Sequence, residues 1–139
     1  MRTLSTRLKR QITDDGLSEY VKFKGRVSDE ELNECYQRTE IFTFPSLLEG
    51  YGMVIVEAMS RGVPVVAFNN SAMSYSIKDG VNGLLAENEN ASSFAEKVLE
   101  LTGNRSLRAE LQKGIEETML HLKTDDDFHK AIIELYTHI

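Results

Sequence analysis

Residues 63–68 read Val, Pro, Val, Val, Ala, Phe, an apolar run in which no polar residue alternates. A strand with one wet face alternates apolar and polar side chains, whereas a strand apolar at every position needs cover on both faces. The run therefore predicts a central strand of a parallel sheet with helices on either side. The flanking sequence supplies those helices. Residues 52–61 predict a helix that is apolar on nearly every side and hence buried. Residues 41–44 (Ile, Phe, Thr, Phe) predict a strand stopped by Pro45, and residues 21–24 (Val, Lys, Phe, Lys) a short alternating one. A last strand, Leu84 to Ala86, follows the turn-forming residues Asp79, Gly80, Val81, Asn82 and Gly83.

The remaining chain has helical periodicity. Leu4, Leu8 and Ile12 stack at spacings of four over residues 3–14, and Gly16 is a stop signal. Ser28 and Glu31 have capping-box spacing and open a helix to about residue 38. Phe94, Val98 and Leu101 line one helix, and Leu107, Leu111, Ile115, Met119 and Leu122 a second. Asp125 caps a third, which carries Phe128, Ile132, Leu135 and Tyr136. Alternating strands and helices of this kind define an α/β, Rossmann-like domain, a parallel sheet flanked by helices. The chain opens on a helix where a doubly wound domain begins with a strand, which predicts that the first strands of this domain lie outside residues 1–139.

The formal charge of −6 argues against a broad nucleic-acid face, which is built from clustered Lys and Arg. Cys35 is the single cysteine, so no intramolecular disulfide forms; it is expected to be a small buried hydrophobe in a cytoplasmic protein. No stretch approaches the roughly 20 apolar residues of a membrane span, and the basic start has no apolar segment after it to make a secretory signal. The acidic triplet Asp125, Asp126 and Asp127 is expected to cap a helix rather than bind a metal. His121, His129 and His138 all fall in the carboxy-terminal helices and are expected at the surface.

Residues 45–59 carry the chemistry. Their order is strand, glycine-containing loop, helix, and in open parallel sheets ligands bind beyond the carboxy ends of the strands, where such loops sit. Gly50 and Gly52 leave room for a backbone to approach a ligand, and the free N–H groups of the first helical turn suit a pyrophosphate. Glu49 precedes the first glycine, and Glu57 follows eight positions later on the helix between Val56 and Ala58. A carboxylate on an apolar helix must be paired or hydrogen-bonded. Arg61, at i+4 from Glu57, offers an ordinary helix ion pair, so spacing alone leaves Glu57 open between a functional and a structural role.

The segment from Glu49 to Glu57 resembles the Glu-x7-Glu pattern of retaining glycosyltransferases of the group 1 (family 4) type, whose GT-B fold sets two Rossmann-like domains face to face. The resemblance extends through residues 21–27, Tyr36, Pro45 and Ser46, residues 49–52, Glu57 to Met59, residues 62–66 and residues 79–84, in order, over roughly residues 17 to 101. It implies that this chain is the truncated C-terminal half of a GT-B fold. Glu57 would then bond the ribose hydroxyls of the donor, and Glu49, the catalytic residue, would lie beside the donor sugar. Amides of Gly50, Tyr51, Gly52 and Met53 would hold the sugar and distal phosphate, and Arg26 and Val27 would lie beside the base. The donor would be a nucleoside diphosphate sugar, with no metal and no other cofactor. A hexose would pass to a hydroxyl acceptor with configuration kept, in polysaccharide or glycolipid synthesis, the full enzyme being peripheral at the inner membrane face.

Two departures bear on these expectations. The family's upstream Arg and Lys, which clamp the leaving diphosphate, have no counterpart here: Arg2, Arg7, Lys9 and Arg10 belong to a helix. The acceptor-binding N-terminal domain is missing as well, so the isolated chain is expected to be inactive, and an incomplete domain exposes apolar surface that favours self-association. In place of the family's Gly-Gly pair and Glu, residues 69–77 carry Asn69, Asn70 and Ser71, an altered loop that affects donor choice. Two other readings stand beside the enzyme: a stand-alone nucleotide-sugar-binding module that acts with a partner chain, and a non-catalytic α/β interaction domain.

Overall fold

The computed structural model describes residues 4–47, 53–70 and 73–124, with the backbone alone for Met53, Tyr75 and residues 122–124. The predicted third C-terminal helix, with Asp125–Asp127, His129 and His138, and the side chain of Leu122 lie outside what is described. The chain divides into two compact units, residues 1–33 and residues 34–139.

In the first unit, α1 (Leu4–Asp14) ends where the sequence predicts. Gly16 takes φ of +70°, its N–H bonds the Thr13 carbonyl at 3.1 Å, and the Leu17 N–H bonds the Ile12 carbonyl at 2.8 Å. This is the Schellman closure, which needs a left-handed residue and so favours glycine. Arg7, Lys9 and Arg10 are exposed on α1; Lys9 lies 5.4 Å from the Phe23 ring centre and Arg10 pairs with Asp14 at 3.9 Å. Residues 21–24, predicted as a strand, have no strand structure. Their alternation marks a chain able to join a sheet, but a strand exists only through its ladder partner, and none pairs with them among the described residues.

The boundary between units falls within α2 (Asp29–Arg38). Ser28 Oγ accepts the Glu31 N–H at 3.2 Å, as the capping-box spacing implies. The second unit continues with β1 (Phe42–Phe44), α3 (Met53–Ser60), β2 (Val65–Phe68), α4 (Met73–Ser76), β3 (Gly83–Ala86), α5 (Ala91–Thr102) and α6 (Arg105–Thr124). The three strands form one parallel sheet in the order β1-β2-β3, with Phe42 opposite Val65 and Val65 opposite Gly83.

Every residue of β2 is buried, so the uninterrupted apolar run is indeed the central strand. Its side chains divide by period two. Val65 and Ala67 join Ile55, Ala58, Met59, Ile115 and Tyr36 in one cluster; Val66 joins Leu84, Leu101 and Leu111 in another, against Phe94 and Val98. Helix α6 supplies Leu111 to one cluster and Ile115 to the other, so it packs against the core on both faces of the sheet.

Two expectations need correction. The stretch after β2 is not a plain loop: it contains α4, and Met73 and Ile77 are fully buried in the core. The sparse apolar residues there have no periodicity long enough to announce a helix of four residues. Cys35 is half-buried rather than a core residue. On α2 the inward position belongs to its neighbour Tyr36, whose ring stacks on Phe42 with centres 6.0 Å apart.

Candidate functional site

Parallel strands share one exit edge, and here the three exits are tied together. Asn69 follows β2, and its N–H bonds the Ala86 carbonyl at the end of β3 at 2.7 Å. The Asn70 side chain works in both directions: Nδ2 donates to the Ser46 carbonyl beyond β1 at 3.2 Å, and Oδ1 accepts the Met73 N–H at 3.1 Å, capping α4. Asn70 therefore fixes the rim of the sheet, and its amide is already occupied by protein. At the β3 exit the Ser93 hydroxyl accepts the Glu87 N–H at 2.9 Å, and Asn90 caps α5 through the Ser93 N–H at 3.0 Å.

Helix α3 starts at Met53 and connects β1 to β2, which are parallel, so it runs back along the sheet with its amino terminus on the side of the strand exits. Met53 and Glu57 are four residues apart, so they lie on one side of the helix, about 6 Å apart along its axis. Helical side chains lean toward the amino terminus, which in α3 is the end at the rim. Glu57 is half-buried, between Ile55 and Ala58 with no exposure at all. Its Oε1 lies 3.5 Å from Arg61 Nη1, with side-chain exposures of 31% and 33%. The same Nη1 donates to the Glu57 backbone carbonyl at 3.3 Å, and the guanidinium carbon lies 4.5 Å from the centre of the Tyr36 ring. The helix ion pair foreseen from spacing is thus formed, and it has a third member.

Glu49, Gly50, Tyr51 and Gly52 lie outside the described residues, as does Ser71, and Met53 is described by its backbone only. Arg26 is exposed and Val27 half-buried; both precede α2 in the first unit. Sequence reasoning did not find Tyr36 as a partner of Arg61. The two stand 25 positions apart, Tyr36 on α2 and Arg61 just past the end of α3, and no local pattern links them. An open cleft of about 370 Å³ lies at the far end of α3, lined in part by Met59, Gly62, Ile115 and Met119. It sits away from the strand exits and takes no part in the rim. Among the described residues no helix is long and apolar enough to cross a membrane, and no three His, Cys, Asp or Glu side chains are grouped to hold a metal ion.

This architecture has clear relatives. The family model described as glycosyl transferases group 1 matches residues 3–118. A glycosyltransferase of Methanocaldococcus jannaschii, itself uncharacterized, is 38% identical over 92 residues, which is 66% of this chain and 26% of that protein. The TarM protein of Staphylococcus aureus, solved with fondaparinux, alpha-GlcNAc-glycerol and UDP, superposes with a TM-score of 0.81 at 28% identity, over 96% of this chain and 27% of that one. The C-terminal domain of a group 1 family protein from Francisella tularensis gives a TM-score of 0.76 at 24% identity, over 87% of this chain and 61% of the other. The chain thus spans about a quarter of the full-length relatives, on the C-terminal side of a GT-B fold. A parallel sheet whose exits are tied into one rim, with an acid-bearing helix starting there and a family model running through all of it, places this chain in the group 1 glycosyltransferase family.

Proposed function

We propose that the chain is the donor-binding part of a retaining glycosyltransferase that moves a hexose from a nucleoside diphosphate sugar to a hydroxyl acceptor in polysaccharide or glycolipid synthesis. The observation that carries this reading is the position of Glu57, one helical turn behind the start of α3 at the sheet's exit edge. UDP bound to the Staphylococcus aureus relative supports a nucleoside diphosphate as the ligand.

In this reading the Glu57 carboxylate, an acceptor-only group, takes hydrogen bonds from the ribose hydroxyls. Backbone amides from Gly50 to Met53 meet the sugar and the distal phosphate at the helix start. Glu49 stands beside the anomeric carbon, where positive charge develops as the bond to the phosphate oxygen breaks and the acceptor oxygen takes its place. Arg26 and Val27 flank the base. The reaction needs no metal and no cofactor besides the donor, since helix ends and basic side chains of the whole protein neutralise the leaving diphosphate. A separate acceptor-binding domain completes the site, and the setting is cytoplasmic, at the inner membrane face.

The Glu57–Arg61 contact favours a second reading, in which Glu57 is structural and the chain an interaction domain. A titration separates the two. Amide signals of the full chain are followed as UDP, GDP and UDP-hexoses are added. Shifts confined to residues 26–27 and 49–57 support donor binding, and Glu57→Ala is expected to weaken it by about 1–3 kcal/mol. A flat response at millimolar nucleotide, or an unchanged Kd in Glu57→Ala, leaves the structural reading standing.

A further inference from the structure

We propose that Arg61 is a positioning residue for Glu57, holding one carboxylate oxygen so that the other is presented to the ribose of the donor. This rests on the donor-binding reading given above. The observation behind it is that one guanidinium makes three contacts at once. It lies 3.5 Å from Glu57 Oε1, donates to the Glu57 carbonyl at 3.3 Å, and stacks 4.5 Å above the Tyr36 ring.

Tyr36 gives that contact its rigidity. The residue is 6% exposed, and its ring continues a stack through Phe42 to Phe44, with successive centres 6.0 Å apart. Arg61 is therefore anchored to β1 through a ladder of aromatic rings as well as to the last turn of α3. A planar guanidinium suits such a place, because its face can stack while its edge donates, which an ammonium cannot do. The pair spends only one carboxylate oxygen. A carboxylate has about four lone-pair sites, so with Arg61 as its partner among the described residues, Oε2 and the other side of Oε1 stay open for hydroxyl donors.

One consequence favours binding. A glutamate on a helix otherwise samples several rotamers, and restricting it beforehand removes an ordering cost from the binding step. The contribution is specific to the ribose hydroxyls, and that sets the measurement.

Calorimetry on the full chain gives Kd for UDP and for 2′,3′-dideoxy-UDP, and the ratio of the two reports the hydroxyl contacts. The parent is expected to prefer UDP by roughly tenfold or more, and Glu57→Ala to bind both alike. Arg61→Met is expected to lose roughly fivefold of the preference while its Kd for the dideoxy nucleotide stays within about twofold. Arg61→Lys, which keeps the charge without the fork, is expected to fall between them. A preference retained in Arg61→Met overturns the proposal and leaves the role of Glu57 intact. Equal weakening toward both nucleotides overturns it as well, since the effect is then general. A parent with no preference, unchanged in Glu57→Ala, removes the donor-binding role of Glu57 and this inference with it.

Discussion

Gly114 lies in the middle of α6, where alanine would ordinarily favour the helix by about 1 kcal/mol. In this fold a Cβ at that position would overlap the Val81 carbonyl oxygen and come within 2.7 Å of its carbonyl carbon. The neighbour is backbone, so no rotamer change relieves the clash, and the helix must move off the turn. Overpacking ordinarily costs about 1–3 kcal/mol, and an overlap with backbone falls at the upper end of that range. Gly114→Ala is therefore expected to lower stability by about 2 kcal/mol net of propensity, a fall in Tm of roughly 5–10 °C. Lys113→Ala, on the exposed side of the same turn, is expected to stay within about 0.5 kcal/mol of the parent. A thermal melt in which the two variants coincide would show that α6 does not dock through Gly114.

Helix α6 and the turn at residues 79–83 form one unit, and its centre is Asn82, 1% exposed. Its Oδ1 accepts the Lys78 N–H at 2.8 Å, while Nδ2 donates to the Ser76 carbonyl at 3.3 Å and to Thr118 Oγ1 at 3.0 Å. Thr118 in turn donates to the Gly114 carbonyl at 2.8 Å. Asn82→Ala strands the Lys78 donor and the Ser76 acceptor together, and a loss of about 3 kcal/mol is expected. Asn82→Asp keeps the acceptor but loses the amide donor, so it is not expected to restore stability. Urea unfolding checks both: the midpoint should fall in each variant at an unchanged slope. These contacts also show what was legible in the sequence. Element ends governed by local chemistry, such as Ser28 before α2, Gly16 after α1 and Pro45 after β1, stood where residue types put them. Burial of β2 followed from its composition alone. By contrast, the missing strand at residues 21–24, the short α4 and the clamp of Arg61 between Tyr36 and Glu57 depend on partners distant in sequence. At the candidate site, the pairing of Glu57 with Arg61 was open to inspection because the two are only four positions apart at the end of one helix, whereas the commitment of Asn70 to Ser46 and Met73 was not.

At the scale of the whole chain, the two units differ in what each buries by itself. The sheet unit has two apolar clusters with fully buried Val65, Val66, Leu101, Leu111 and Ile115. Helix α1 has no buried residue; Leu4 is 72% exposed, and Tyr20, beyond it, 81%. An isolated helix of 11 residues is marginal in water, because nucleation costs more than so few turns return. Local opening of α1 should therefore need far less free energy than global unfolding, while the β2 amides should open only with the whole unit. Hydrogen exchange on the full chain is expected to be slowest at residues 65–68 and at least about 100-fold faster across α1. Protection of α1 equal to that of β2 would mean that something covers its apolar side. Repeating the exchange at tenfold lower protein concentration then tests whether a second copy provides the cover: protection that falls on dilution indicates self-association, and protection that persists indicates packing within one chain.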